Sequence, residues 1–315
     1  MSTPTLKKVE HSIEIATDAS RIFEALRDVA NWPSLFKPTV HAEFLERKET
    51  DEVIRLWATA NGQLKTWTSH RTINRANREI TFEQQVSTAP VAAMIGTWKI
   101  DELGSGRALV RLLHEYRAID DDEDSLAWID EAVDRNSRSE LASLKVTMEN
   151  ISSIGALTFS FEDSDFATGS LAKAYEFINE GEKWADRLPH VQKVIFSEPE
   201  PGLQSIEMTT TATDGTEHTT RSFRVASLND SIHYKQVDLP PLLTMHTGTW
   251  MFSASDEGVR MTSRHTVRVR EANITKFLGS EATVEDAKNY LRNALGANSR
   301  ATLRLAKDFV ESESD

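Results

Sequence analysis

The feature that most constrains this chain is that it is written twice. Gly96-Thr97-Trp98 returns as Gly248-Thr249-Trp250, and Trp32 as Trp184, each 152 residues later. Asn61-Gly62 and Asp214-Gly215, both tight-hairpin dipeptides, lie 153 residues apart, as do Ser69-His70-Arg71 and Ser222-Phe223-Arg224. His114 meets His265 at 151, and Asn136-Ser137-Arg138 meets Asn298-Ser299-Arg300 at 162. Six matches in one order at nearly one spacing point to a tandem duplication, lengthened in the second copy near Glu271 to Ala282. The 315 residues then divide into domains at 1–152 and 153–315.

Each copy has a legible order of elements. Val9 to Ala16 alternates as a strand, and Asp18 starts a helix to about Ala30 with Ile22, Phe23 and Leu26 as its apolar stripe, stopped by Trp32-Pro33. Strands are expected at 40–48, 52–60, 63–73, 79–87, 94–103 and 107–119, then a long helix from Asp124 to about Ile151. The second copy repeats the plan with a strand at 157–163, a helix at 168–187, strands to about Arg270 and a last helix at 283–311. The class is α+β: two tandem domains, each a curved antiparallel sheet of about seven strands around a long C-terminal helix. A sheet curved around one helix leaves an internal cavity, which is the helix-grip architecture.

Several chemistries are excluded. With no cysteine there is no disulfide, thiolate nucleophile or cysteine zinc site. A net charge of −13 argues against nucleic acid, and the acidic runs Asp120 to Asp124 and Glu311 to Asp315 read as a solvated helix start and a frayed end. Met1 to Lys8 lacks the apolar run of a secretory leader, and no stretch has the ~20 apolar residues of a membrane span, so a cytoplasmic protein is expected. The nine histidines show no metal-ligand spacing, and there is neither a phosphate-binding glycine loop nor a G-x-S-x-G elbow.

The candidate chemistry lies on one strand. Trp67, Ser69 and Arg71 share a face, and Thr220, Ser222 and Arg224 share the matching face of the second copy. Such a row suits either a half-exposed strand or a ligand wall. Asn136 and Asn298 fall near the apolar stripes of the long helices, where an amide either bonds nearby backbone or points into a cavity. Trp32, Trp98, Trp184 and Trp250 are each core residues or flat walls for a planar ligand.

Trp32-Pro33-Ser34-Leu35-Phe36, Ala60-Asn61-Gly62, Trp67 to Arg71 and Met94 to Trp98 together resemble the polyketide aromatase/cyclases. These are START-like (SRPBCC) helix-grip proteins of bacterial aromatic, type II polyketide synthases, and the tandem arrangement is similar to their di-domain subgroup. The resemblance implies catalytic Arg71 with Ser69, their counterparts Arg224 and Ser222, and substrate-binding Trp32, Phe36, Trp67, Met94, Trp98 and Asn136. It implies Trp184, Thr220, Trp250 and Asn298 for the second copy. Single-domain members tend to carry a tyrosine where this chain has Thr39, so a tyrosine relay is not expected here. The implied reaction is first-ring aldol closure between C7 and C12, with dehydration, of a C9-reduced poly-β-ketone. No cofactor is implied, and the implied partners are an acyl carrier protein and other synthase components such as a ketoreductase.

Poly-β-ketones enolise readily, so the catalytic problem is to choose which carbon attacks where, and a shaped cavity holds one arrangement. Arginine is a poor proton donor, which suits Arg71 to stabilising an oxyanion while Ser69 or a water relays protons. The competing reading is a non-catalytic carrier or chaperone that shields an apolar polyketide, since helix-grip cavities serve binding as well as catalysis.

Overall fold

The computed structural model describes residues 6–87, 89–211 and 217–312, and the predicted hairpin dipeptide Asp214-Gly215 lies outside the described residues. The chain divides into two compact units, Met1–Ile151 and Ser152–Asp315. Each is a seven-stranded antiparallel sheet with its long helix at the C-terminal end.

In the first unit, β1 (Lys7–Ile15) leads into α1 (Ala19–Arg27), a 3-10 turn (Val29–Asn31) and the one-turn helix α2 (Trp32–Leu35). Trp32-Pro33 was expected to end a helix running to Ala30. Instead α1 stops at Arg27, where Asp28 leaves the helical region (φ −86, ψ 82), and Pro33 sits in the first turn of α2, where its missing N–H is harmless. Six strands follow: β2 (Thr39–Arg47), β3 (Asp51–Ala60), β4 (Gln63–Asn74), β5 (Glu79–Val86), β6 (Val91–Gly104) and β7 (Arg107–Ala118). The sheet order is β1-β7-β6-β5-β4-β3-β2, so the first strand pairs with the last. The helix α3 (Glu123–Glu149) starts where the Asp122 carboxylate accepts from the Ser125 N–H, a function for part of the acidic run.

After a short helix α4 (Ile151–Leu157), the second unit repeats the plan with β8 (Thr158–Ala167), α5 (Leu171–Asn179), a 3-10 turn (Gly181–Lys183) and α6 (Trp184–Arg187). The single helix expected over 168–187 is therefore broken, and at the place that matches the break in the first unit. The strands are β9 (Val191–Glu200), β10 (Leu203–Thr211), β11 (Glu217–Ser227), β12 (Ser231–Asp238), β13 (Leu243–Ser255) and β14 (Gly258–Val269). The insertion forms a 3-10 turn and α7 (Ile274–Leu278), whose Ile274 packs into a local apolar cluster, before α8 (Val284–Ser312).

Two repeated signals now have causes. Asn61 and Gly62 both take positive φ (48 and 76), the geometry of a two-residue hairpin turn. Gly96 and Gly248 lie opposite Phe82 and Tyr234 on neighbouring strands. A Cβ there would come within 2.0 Å of the Phe82 ring or 2.3 Å of the Tyr234 ring, so each aromatic lies flat over a glycine. In the first unit the apolar core includes a cluster around Trp98 and Leu144 and another around Met94, Tyr116 and Ile129. The space walled by both is the site.

Candidate active site

A cavity of about 1130 Å³, mouth included, opens in the first unit between α3 and the sheet. Its walls include Trp32, Trp67, Met94 and Trp98, all expected from the sequence, and Thr39. Phe36 is a correction. It is 1% exposed and packs behind the wall, stacked on Trp98 at 6.0 Å and edge-on to Trp32 at 5.3 Å. Its ring shapes the wall and touches no lumen.

Alternation along β4 brings Lys65, Trp67, Ser69 and Arg71 to the cavity. Ser69 and Arg71 are each 1% exposed, which rules out the half-exposed-strand reading. The guanidinium is tied down at the closed end. Arg71 donates to the carbonyls of Leu26 (3.0 Å) and Arg27 (3.4 Å), pairs with buried Glu52 at 3.3 Å, and lies 5.4 Å from the Trp32 ring. Arg71 thus caps the broken end of α1. Burial lowers its pKa to about 10, partly offset by Glu52, so it stays cationic at neutral pH. Its Nε and the Ser69 hydroxyl are buried without a hydrogen-bond partner. Such orphans cost about 1–3 kcal/mol each and concentrate at functional sites.

The helix side of the cavity holds what the sequence reading missed. Asn136 lines it but donates to the Thr59 carbonyl at 3.0 Å, so that amide is largely spent on backbone. Ser137 and Glu140, on the same face of α3, also line the cavity. Glu140 makes no hydrogen bond or ion pair among the described residues, and burial pushes its carboxyl up to about 8. It is a neutral acid at pH 7, bordering the lumen. The signal was present: Glu140 lies four residues after Asn136 and seven after Val133, a charged residue on an apolar stripe. His114 also lines the cavity, and burial lowers its pKa to about 4, which keeps the ring neutral.

The second unit keeps the arginine and changes the rest. Arg224 donates to the Ile178 carbonyl at 2.7 Å and lies 5.0 Å from the Trp184 ring, the same cap on α5. Opposite it stands Gln204 in place of Glu52. Ser222 is buried, Thr220 half-buried, and Trp250 belongs to the apolar core. Asn298 is a second correction. It is exposed, and the neighbouring Ser299 is the buried residue, because the inward line of α8 runs Leu291, Leu295, Ser299, Thr302. Positions matching the first cavity hold a hydrogen-bonded chain. Gln236 Oε1 meets His246 Nδ1 at 2.8 Å, His246 Nε2 meets His265 Nδ1 at 2.9 Å, and His265 Nε2 meets Ser299 Oγ at 2.6 Å, with Tyr234 Oη 3.0 Å from His265 Nδ1. His246 stands at the position of Met94 and Tyr234 at that of Phe82. No cluster of three or more metal-ligating side chains occurs among the described residues.

The family described as polyketide cyclase/dehydrase and lipid transport matches residues 7–149. The chain is 38% identical to the granaticin polyketide synthase bifunctional cyclase/dehydratase of Streptomyces violaceoruber, over 99% of this chain and 96% of that one. It is 40% identical to the actinorhodin polyketide synthase counterpart of Streptomyces coelicolor, over 97% and 98%. Among solved structures, the di-domain aromatase/cyclase BexL of the BE-7585A biosynthetic pathway superposes with a TM-score of 0.85 at 48% identity, covering 97% of this chain and 99% of that one. The di-domain StfQ of the steffimycin pathway gives 0.83 at 34%. Similarity at this level over nearly the full length of both partners places the chain: it belongs to the polyketide cyclase/dehydratase family, in its di-domain aromatase/cyclase form.

Proposed function

We propose that this enzyme closes and dehydrates the first ring of a carrier-bound poly-β-ketone, C7 to C12 on a C9-reduced chain, in the cavity of the first unit. An acyl carrier protein delivers the chain and a ketoreductase acts before it. The observation that carries the reading is Glu140, an unpartnered neutral carboxylic acid in the same cavity as the fixed Arg71 cation. As an enol carbon attacks a ketone, the Glu140 carboxyl gives its proton to the ketone oxygen and recovers one from the enol hydroxyl. In the second step it protonates the departing hydroxyl, which leaves as water, and as carboxylate it takes the proton from the adjacent carbon. Each step returns the acid to its starting form, with the Arg71 charge stabilising the developing oxyanion.

Arg71 also ties α1 to the sheet, so its removal mixes catalysis with stability. Glu140 holds nothing in place and gives the cleaner test. In a reconstituted synthase, Glu140→Gln is expected to lower formation of the first-ring aromatic product by about 100-fold or more while ligand binding persists. A carrier that only shields its ligand would tolerate that substitution, and unchanged product formation ends the assignment.

A further inference from the structure

A poly-β-ketone repeats every two carbons, so sliding a C9-reduced chain by one repeat, from C7 to C5, still presents a ketone to Glu140 and Arg71. Acid and cation at the closed end cannot by themselves choose between C7 and C5 as the ketone carbon that is attacked. A fixed point elsewhere along the chain is required. Lys65, Trp67, Ser69 and Arg71 run along one wall, from half-buried Lys65 next to the Asn61-Gly62 turn to fully buried Arg71. Six residue steps along a strand span roughly 20 Å. Lys65 and Trp128 also border a shallow outer hollow with Gln63, Pro90, Asp124 and Ser125, which puts the Lys65 side chain where the cavity meets the surface. Among the described residues Lys65 has no ion pair or hydrogen bond, although Lys7, Lys99 and Lys145 are all paired with carboxylates. A half-buried ammonium without a counter-ion favours an oxygen-rich ligand.

We propose that Lys65 is the register-setting residue: its ammonium holds the carbonyl oxygens at the carrier-bound end of the chain at the cavity mouth, and so determines which carbons reach Glu140. The inference rests on the reading above that a carrier-bound poly-β-ketone fills this cavity. The test is product analysis of a reconstituted synthase containing the wild type, Lys65→Met or Lys65→Arg. With Lys65→Met, the share of ring-closed product with the wild-type ring position is expected to fall several-fold. Lys65→Arg restores that share, which a merely structural role would not predict. A wild-type product distribution from Lys65→Met overturns the inference, as does a loss of all products in unchanged proportion. If the wild type itself gives the same products as the synthase without it, the parent reading fails and takes this one with it.

Discussion

Glu140 is kept protonated by burial alone, and that has a thermodynamic consequence apart from catalysis. Its folded pKa of about 8 lies above the ordinary 4.5. Between those values the folded protein holds a proton that the unfolded chain has lost, so stability falls as pH rises through the window. Glu140→Gln removes this dependence. It is expected to be more stable than wild type by up to about 4 kcal/mol at pH 8 and nearly equal at pH 4.5, by urea denaturation at each pH. Neighbouring residues show how much was legible one position at a time. Alternation alone put Trp67, Ser69 and Arg71 on one face. The partner of Arg71 was legible too, since counting nine residues outward from each side of Asn61-Gly62 lands on Glu52 and Arg71, which do pair in register. Asn298 was not, because a helical step of three or of four from Leu295 fits the apolar pattern equally well, and only packing chose Ser299.

At the scale of elements, both units fasten their first strand to their long helix by ion pairs, with the polarity reversed. In the first unit the cation is on β1, where Lys7 pairs with Asp130 of α3; His11 Nε2 also lies 2.9 Å from Asp134 of that helix. In the second the acid is on β8, where Asp163 takes Arg292 at 2.9 Å and Arg300 at 3.0 Å from α8. Pairing β1 with α8 instead would set like charges against each other, so the reversal favours each strand finding its own helix. The two clamps differ in strength because Asp163 is buried and Asp134 is exposed. Asp163→Asn is expected to destabilise its unit by about 2–4 kcal/mol, whereas Asp134→Asn changes stability by less than about 1 kcal/mol. Denaturant titration of both variants checks the contrast. The two matching arginines, Arg71 and Arg224, act at this scale too. Each bonds carbonyls within the last two residues of the helix it caps, which explains why the second unit keeps Arg224 with a different set of residues around it.

At the scale of the whole molecule, the duplication has given two cores of different chemistry: an open cavity in the first unit, and in the second a chain of His246, His265, Tyr234 and Ser299. Burial holds both of these histidines, and His233, below the ordinary imidazole range. Each stays neutral when folded, while the unfolded chain takes up protons near 6.5. Stability is therefore lost as pH falls below about 6.5, and the second unit, where His190 is lowered as well and makes four such groups against His114 in the first, carries most of the loss. His246→Met, which installs the residue found at the matching position of the first unit, is expected to lower the acid midpoint of unfolding. Tryptophan fluorescence against pH reads that shift, and an unmoved midpoint shows the loss to lie elsewhere. No helix among the described residues is long and apolar enough to cross a membrane.

By itself, the sequence determined the duplication, the α+β class, the order of the strands with their bounds in the first copy to within about three residues, and the strand that walls the site. Those depend on periods of two and of about four residues and on turn chemistry, all local along the chain. Only the tertiary structure decided that Arg71 is bound up in capping α1, that Phe36 stands behind the wall, that Asn298 faces water and that Glu140 stays protonated. Each of these depends on what lies across a gap from residues far away in sequence, and burial of a charge is a property of the assembled surroundings that no spacing records.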